Sequence, residues 1–338
     1  MPHTPMQKID NRGIPENPQE IRAFVSVRNE RPRLPCFLGH YRNLGVNRFF
    51  FADNLSTDGT VEFLRNQHDC HVFSAPGNYF AENVEPPRWT NALANVFGDG
   101  HWCLTVDADE LFVYPHCDSV GLQAFCDYLE GSKSEAVAAA MIDMYAAGPV
   151  ARTQYQQGKH FLDSCPYFDN KPGWIKTCDI CPGWQMFGGV RERVFWRGRF
   201  KRMLPPCISK VPLVKWRKGM HYLISMHFHS GAKVSPITGA LLHFKFLSGF
   251  STRTSQQVEL NKGIIEKGLE EQTIYLAALA SRPDLTLMFE GSVRYAGPSQ
   301  LVELGWMHSQ PEFEDHVMRT SPERPFARAR QHRNRADL

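Results

Sequence analysis

Short apolar runs alternate with amphipathic segments along the first 110 residues. The runs IRAFVSV, NRFFFADN, CHVFSAP and HWCLTVDADE predict four strands. Between them, CFLGHYRNLG, STDGTVEFLRNQ and PRWTNALANVFGDG carry apolar residues at helical spacing. The first of these helices is expected to end at Gly45, and the second to begin at Ser56 or Thr57 with Asp58 in its first turn. Alternation of this kind predicts βαβ units, and therefore an α/β fold with a mainly parallel central sheet flanked by helices.

The second half of the chain has a less regular pattern. EAVAAAMIDMYA, GGVRERVFW, ISMHFHS and GALLHFKF predict further strands, and residues 255–281 predict a helix. Residues 148–185 are rich in Gly, Pro and aromatic residues, which indicates a long loop region. The pattern predicts a flexible leader over residues 1–20, one domain over 21–318 and a disordered basic tail over 319–338, which carries six Arg.

Composition narrows the class of protein. With 338 residues, 42% of them hydrophobic and 22% charged, the chain is long enough for a large folded core. A net charge of only +3 argues against a nucleic-acid partner. Nine Cys without framework spacing indicate reduced thiols, and CDIC is a weak zinc signal. The N-terminus has no apolar signal region and no run of about 18 apolar residues occurs, so we expect a cytoplasmic protein without a membrane-spanning helix.

Polar residues follow three of the predicted strands at the points where they end. RNE, DN and DADE all stand at strand carboxyl ends, which meet at one edge of a parallel sheet. Asp107, Asp109 and Glu110 crowd three carboxylates into four positions, so this cluster needs a positive partner. A divalent cation suits it, because Mg²⁺ and Mn²⁺ prefer carboxylate oxygens and can bridge a diphosphate. An exposed acidic turn is the alternative interpretation.

Four motifs together resemble a known family. VSVRNE, DNLSTDGT, PRWTNAL and LTVDADEL stand in the order and spacing of family 2 glycosyltransferases of GT-A fold, and the chain is similar to the bacterial family-2-like members with a DxD motif. The resemblance covers residues 20–115, with a weaker match at GGVRERVF and GALLHFKF. It implies a GT-A-like nucleotide-diphospho-sugar transferase fold, with a nucleotide-binding half over 21–115 and an acceptor-side half over 116–318.

The resemblance also implies roles for residues on the nucleotide side. The backbone at Val27 and Arg28 would cradle the nucleoside with Glu30. Asp53 would read the base or ribose, in a loop that Asp58 supports. The remaining positions on this side are Arg88 and Asn91 in the helix before the acidic motif, and Asp107, which would face the ribose or a metal-bound water.

For the metal, the resemblance implies Asp107 and Asp109 with a late histidine, holding Mn²⁺ or Mg²⁺. His243 is the favoured histidine, because Lys245 two residues on shares its strand face and could hold a departing diphosphate. His229 is the alternative, although a histidine on a strand is more often a packed polar residue.

The catalytic base has two candidates. Glu192 follows a glycine pair that resembles the acceptor-side loop of the family, and Asp143 ends the strand after the acidic motif. Either carboxylate could deprotonate an acceptor hydroxyl. Either could equally be an ordinary ion-paired residue. Trp174 and Trp184 could stack on an acceptor sugar or simply pack the loop.

The expected function is a metal-dependent glycosyltransferase that moves a sugar from a nucleotide-diphosphate donor to the hydroxyl of a glycan or other acceptor. The resemblance implies an inverting reaction in surface-glycan synthesis, and it leaves open whether the basic tail contacts an anionic membrane at its cytoplasmic face. One alternative is a catalytically degenerate protein that binds nucleotide sugars or glycans. The other is an aspartyl phosphotransferase, because LTVDADEL superficially resembles a strand that ends in a nucleophilic Asp.

Overall fold

A computed structural model describes residues 6–78, 87–196, 204–247, 249–261 and 270–320. Its strands are β1 Gln7–Lys8, β2 Arg22–Val27, β3 Arg48–Asp53, β4 Cys70–Ser74, β5 Trp102–Thr105, β6 Glu110–Val113, β7 Ala136–Asp143, β8 Tyr167–Asp169, β9 Trp174–Thr177, β10 Trp184–Phe187, β11 Ser209–Lys215, β12 Tyr222–Ile224, β13 Phe228–His229, β14 Gly239–His243 and β15 Ser292–Arg294. Its α-helices are α1 Leu34–Leu44, α2 Thr60–Arg65, α3 Arg88–Phe97, α4 Leu122–Gly131, α5 Phe161–Ser164, α6 Phe250–Asn261, α7 Glu270–Ser281, α8 Pro298–Glu303 and α9 Pro311–Thr320. A 3₁₀ turn covers Val150–Arg152 and a π-helical turn covers Arg191–Trp196.

Nine strands form one central sheet in the order β1-β4-β3-β2-β5-β11-β7-β14-β6. Strands β2, β3, β4, β5, β7 and β14 run in one direction, and β1, β6 and β11 run in the other. The predicted α/β class with a mainly parallel sheet is therefore confirmed. Strand β2 lies between β3 and β5, so the chain changes its winding direction there. In open α/β sheets such a switch point opens a crevice at the carboxyl ends of the strands.

Both faces of the sheet are covered, as the continuous apolar strands require. On β3, Phe49 and Phe51 pack against Phe37 of α1, whereas Phe50 on the opposite face stacks on Phe24 and Phe97. A further apolar cluster joins α7 to the π-helical turn through the rings of Tyr275, Phe195 and Trp196. These layers fix the strand ends on which the polar loops stand.

Several sequence predictions meet the structure directly. Helix α1 ends at Gly45, which has a φ of 109°, as a C-terminal glycine should. Helix α2 instead begins at Thr60, because Ser56 is held in the loop by bonds to Asp53 and Asn29. GGVRERVFW is not a strand: Gly188 and Gly189 have φ values of 130° and 62°, and a π-helical turn follows. Residues 148–185 contain short helices and strands instead of one long loop.

The sequence pattern does not predict strand β11, although this strand lies near the centre of the sheet. Its residues SKVPLVK include Pro212, which cannot donate to a ladder and so argues against a central strand. The structure accommodates the proline with a register shift between Lys210 and Leu213 in the pairing with β7.

The structure describes most of the predicted leader but only the first two residues of the predicted tail. Residues 6–20 belong to the predicted leader, and there β1 pairs with β4 while Asp10 accepts a hydrogen bond from Val72 N at 2.8 Å. Of the predicted tail, Arg319 and Thr320 end α9, and residues 321–338 lie outside the described part of the chain. Within the described residues, no helix has the length and apolar character needed to cross a membrane.

Close packing at Gly239 gives a stability prediction. A Cβ there would lie 2.5 Å from Phe112 Cε2 and 2.8 Å from the carbonyl oxygen of Val113. Gly239→Ala should therefore lower the free energy of unfolding by about 1–3 kcal/mol, because β6 must shift to make room. Gly148→Ala is the control, since a Cβ at Gly148 meets no atom within 4 Å. Urea unfolding measures both variants, and equal stability of the two would contradict the packing argument.

Candidate functional site

The loops after β2 and β3 meet at the switch point of the sheet and are tied together. The backbone N–H of Asn29 donates to Ser56 Oγ at 2.8 Å, and that of Arg31 donates to Asp58 Oδ2 at 3.0 Å. Arg28 Nη1 donates to Asn54 Oδ1 at 2.7 Å. The predicted convergence of RNE and DN is thus present, and Asp58 supports the loop with its carboxylate.

Asp53 presents an unsatisfied acceptor in this loop pair. The residue is 2% exposed, and its Oδ2 accepts a hydrogen bond from Ser56 N at 3.0 Å. Its Oδ1 is buried and has no hydrogen-bond partner in the part of the chain that is described. Burial raises the pKa of Asp53. A buried acceptor of this kind gains from a donor, such as a ligand hydroxyl or N–H.

The acidic cluster has a positive partner within the protein, which is Lys210. Its Nζ lies 2.7 Å from Asp107 Oδ2 and 2.6 Å from Glu110 Oε1. Lys210 is 3% exposed and Glu110 fully buried, so this ion set is one of the most desolvated in the site. Burial raises the pKa of Glu110, and Lys210 offsets part of that rise. Two of the three acids therefore share one cation from β11, and Asp109 is left for another partner.

Asp109 faces His243, which a buried ion pair holds in place. His243 Nε2 lies 3.8 Å from Asp109 Oδ1, and His243 Nδ1 lies 2.6 Å from Asp143 Oδ1. Asp143 accepts two hydrogen bonds from Arg191, at 2.8 Å and 3.0 Å. A carboxylate can only accept at 2.6 Å, so Nδ1 carries a hydrogen and Nε2 is the ring nitrogen on the side of Asp109. A carboxylate and a ring nitrogen, which binds a metal when the ring is neutral, then lie on either side of one gap.

The electrostatics around this pair follow from burial and neighbouring charge. Burial alone would raise the pKa of Asp109, but His243 and Arg33 outweigh it and lower the pKa to about 2. Burial would likewise raise the pKa of Asp143, yet Arg191 holds it well below its usual range. Asp143 is therefore a poor proton acceptor, and the geometry argues against the interpretation of this residue as a base.

Two further ion pairs border the site. Lys245 Nζ donates to Glu271 Oε1 at 2.8 Å and lies 4.8 Å from the centre of the Tyr275 ring, so the turn after β14 is joined to α7. Strand β14 ends at His243, so Lys245 does not lie on the predicted strand face with His243. On the other side, Arg33 pairs with Glu30 and acts electrostatically on Asp109. Burial raises the pKa of Glu30.

A cavity of about 630 Å³ lies against residues 154–164. It is lined by Gln154, Tyr155, Gln156, Lys159, Asp163 and Ser164. Tyr155 is close enough to Arg33 for their charges to interact, and burial raises the pKa of Tyr155 to about 12. One residue of the cavity lining is therefore within electrostatic range of Arg33.

The structure places the remaining predicted residues at or outside the edge of this site. Asn91 exchanges two hydrogen bonds with the backbone of Tyr222, at 2.8 Å and 2.9 Å, which fixes α3 to β12. Arg88 is exposed at the start of α3. Glu192 accepts a hydrogen bond from Trp174 Nε1 at 3.0 Å. His229 is 1% exposed, with the rings of Trp216 and Tyr222 edge-on to it, as a packed histidine would be.

Three cations of the site were missed in the sequence, namely Lys210, Arg191 and Arg33. Lys210 lies in β11, which the sequence pattern does not predict because Pro212 argues against a central strand. Arg191 and Arg33 stand in segments whose many charged letters carry no spacing signal. A buried acid cluster demands a cation somewhere in the chain, but only the fold shows which one reaches it.

Comparisons with known proteins leave the family open. No family model and no curated protein matches the chain. Among solved structures, TarS 1-349 of S. aureus has 16% identity and a TM-score of 0.28, covering 41% of this chain and 43% of its own, so this chain spans less than half of it. A UTP-bound UGPase and a UDP-glucose pyrophosphorylase, both of Acinetobacter baumannii, each have 8% identity over 89% of this chain and 100% and 99% of their own, with TM-scores of 0.29 and 0.27. Likenesses this slight carry no argument about function.

The Lys210 ion set gives a prediction with a pH signature. Lys210→Met should lower the free energy of unfolding by about 3–5 kcal/mol at pH 7, because Glu110 is left buried without a cation. The raised pKa of Glu110 means that the folded variant binds more protons than the unfolded chain, so its stability falls as pH rises from 5 to 7.

Urea unfolding of the variant at the two pH values checks this expectation. Lys210→Met/Glu110→Gln should lose the added pH dependence, and Lys215→Met, which breaks an exposed pair with Glu130, should cost about 0–1 kcal/mol. A Lys210→Met variant as stable as wild type at both pH values would show that the ion set is not needed.

Proposed function

We propose that the protein is a metal-dependent glycosyltransferase that uses a nucleotide-diphosphate sugar donor. The observation that carries the proposal is the Asp109–His243 pair, 3.8 Å apart and oriented by Asp143, at the carboxyl ends of the sheet. This pair lies on the same edge of the sheet as the loops of Asp53 and Arg28. A cation site and a nucleoside-type acceptor on one sheet edge are what a nucleotide-sugar transferase requires.

The donor set fits a divalent cation that shares its ligands with a substrate. Over the described ranges, no group of three or more His, Cys, Asp or Glu side chains forms a metal site. Asp109 and His243 supply two ligands, and Mg²⁺ or Mn²⁺ commonly binds through one or two carboxylates together with substrate phosphates. His243 also has the support typical of a metal-bound imidazole, since its other nitrogen donates to a carboxylate. When bound, the cation would neutralise the charge of the departing diphosphate.

Other residues of the chain would bind the nucleoside, the ribose and the diphosphate. Asp53 offers its unsatisfied oxygen to the nucleoside, and the bonded loops after β2 and β3 hold that oxygen in place. Asp107, with its side chain 38% exposed and paired with Lys210, would face the ribose when a donor is bound. Lys245 and Arg191 add positive charge beside His243, where a diphosphate would leave.

Glu192 is the better of the two candidates for the base. Asp143 is occupied by Arg191 and His243, whereas Glu192 has a hydrogen bond from Trp174 and is partly exposed. A carboxylate that substrate can reach is able to take the proton of an acceptor hydroxyl. An inverting course and a place in surface-glycan synthesis stay predictions of the family resemblance.

One observation favours a second function, a protein that binds a nucleotide sugar without transferring it. The ion pair with Arg191 removes Asp143 from proton transfer, which leaves Glu192 alone in that role. Release of nucleoside diphosphate from a UDP- or GDP-sugar, with and without Mn²⁺, separates the two functions. A binding protein would retain the intact donor.

The metal assignment predicts the outcome of a titration. Asp109→Asn and His243→Ala should each weaken the Mn²⁺-dependent binding of nucleoside diphosphates at least tenfold, because each removes one of two protein ligands. Isothermal titration of UDP and GDP with and without Mn²⁺ measures the effect. Asp127→Asn on the exposed face of α4 is the matched control. Unchanged Mn²⁺ dependence in Asp109→Asn would refute the cation site.

The Asp53 assignment predicts a different pattern in the same titration. Asp53→Asn should weaken nucleotide binding even without metal, by about 1.5–3 kcal/mol, because a charge-assisted hydrogen bond to the nucleoside is lost. Asp109→Asn should leave the metal-free affinity as it is. If the metal-free affinity of Asp53→Asn equals that of wild type for both nucleotides, Asp53 serves only to shape its turn.

A further inference from the structure

A tryptophan and a carboxylate stand together, and the carboxylate is the next residue in the chain after Arg191 of the site. Trp174 Nε1 donates to Glu192 Oε2 at 3.0 Å, and Glu192 directly follows Arg191, whose guanidinium contacts Asp143 and His243. The indole is 43% exposed, although large aromatic rings bury much apolar surface when they pack. An exposed ring at this position is therefore a candidate contact surface.

The ring is held rigidly despite its exposure. Trp174 is paired with Phe187 across the β9–β10 hairpin, and the two rings stack at 4.8 Å with 27° between their planes. Gly173 packs so closely that a Cβ there would lie 1.8 Å from the carbonyl oxygen of Phe187. Stacking covers one face of the indole, the hydrogen bond to Glu192 fixes its edge, and the hairpin sets its position. A preorganised ring loses little conformational entropy when it binds a partner.

We propose that Trp174 and Glu192 form a platform for a pyranose ring of the acceptor. A sugar ring has an apolar C–H face, whose positively polarised hydrogens suit the negative face of an indole. Its hydroxyl groups can donate to the carboxylate at the rim of the platform. The carboxylate also disfavours an anionic lipid headgroup, because like charges repel. The inference rests on the proposed transferase function, and it names the acceptor class as a neutral or cationic glycoside.

The platform gives Glu192 a defined relation to the acceptor. A sugar stacked on Trp174 would present its rim hydroxyls to Glu192, which is the remaining candidate for the base. The same carboxylate would thus both recognise the acceptor and receive its proton.

Saturation-transfer NMR tests the platform with simple probes. The methyl β-glycosides of glucose, galactose and N-acetylglucosamine are added at millimolar concentration, with UDP and Mn²⁺ present, and the protein aromatic protons are irradiated. For at least one glycoside, we expect transfer mainly to the C–H protons of one ring face. Trp174→Ala should reduce that transfer at least fivefold, and Trp174→Phe should retain part of it.

Ile175→Ala is the matched control, because Ile175 is the next residue of the same hairpin strand and is 54% exposed. It should leave the transfer unchanged. Equal transfer in wild type and Trp174→Ala, or no transfer from wild type to any of the three glycosides, would overturn the platform. Loss of transfer in Ile175→Ala as strong as in Trp174→Ala would show general apolar adhesion, and would overturn it too.

The calorimetric titration separates the two proposals. If nucleoside diphosphate binds but no NMR saturation transfer reaches any glycoside, the platform is refuted and the proposed function stands. If saturation transfer reaches a glycoside but no nucleotide binds, the proposed function is refuted, and the surface binds sugars in a protein of another function.

Discussion

The site depends on the way buried acids are matched with cations from distant parts of the chain. Lys210 satisfies Asp107 and Glu110 from β11, and Arg191 satisfies Asp143 from the π-helical turn. Unpaired, the buried carboxylates of Glu110 and Asp143 would cost several kcal/mol each in a low-dielectric environment. The pairing allows several acids to lie near the buried His243. Because Lys210 and Arg191 pair with the other carboxylates, Asp109 is the acid that faces Nε2 of His243.

The sheet topology explains why these groups meet. Strand β2 is flanked by β3 on one side and β5 on the other, so the loops that follow these three strands share one edge. Antiparallel β11 then places Lys210 beneath the acidic loop, and β14 places His243 opposite Glu110 in the pairing with β6. Tyr41 of α1 fixes the same strand, since its hydroxyl donates to the carbonyl of Glu110 at 3.0 Å and accepts from Phe112 N at 3.0 Å.

Hydrogen bonds hold the residues at the centre of the site in place. The Asp109–His243 pair and the loops after β2 and β3 are tied by short hydrogen bonds, which suits an arrangement that must hold charge in a fixed position. The β9–β10 hairpin forms a separate two-stranded sheet. The turn after it carries both Arg191, which holds Asp143, and Glu192, so a change in that turn also acts on the charges at the centre.

The sequence alone determined the α/β class, because continuous apolar strands alternating with amphipathic helices leave few other ways to bury both faces. It also located the polar loops at RNE, DN and DADE, since polar residues after buried strands must lie at the sheet edge. The tertiary structure alone decided which charges pair. Lys210 reaches Asp107 across 103 positions and Arg191 reaches Asp143 across 48, and no local spacing encodes contacts of that range. The π-helical turn and the strand through Pro212 were hidden for a related reason: packing against α7 and β7 overrides the local preference of those residues.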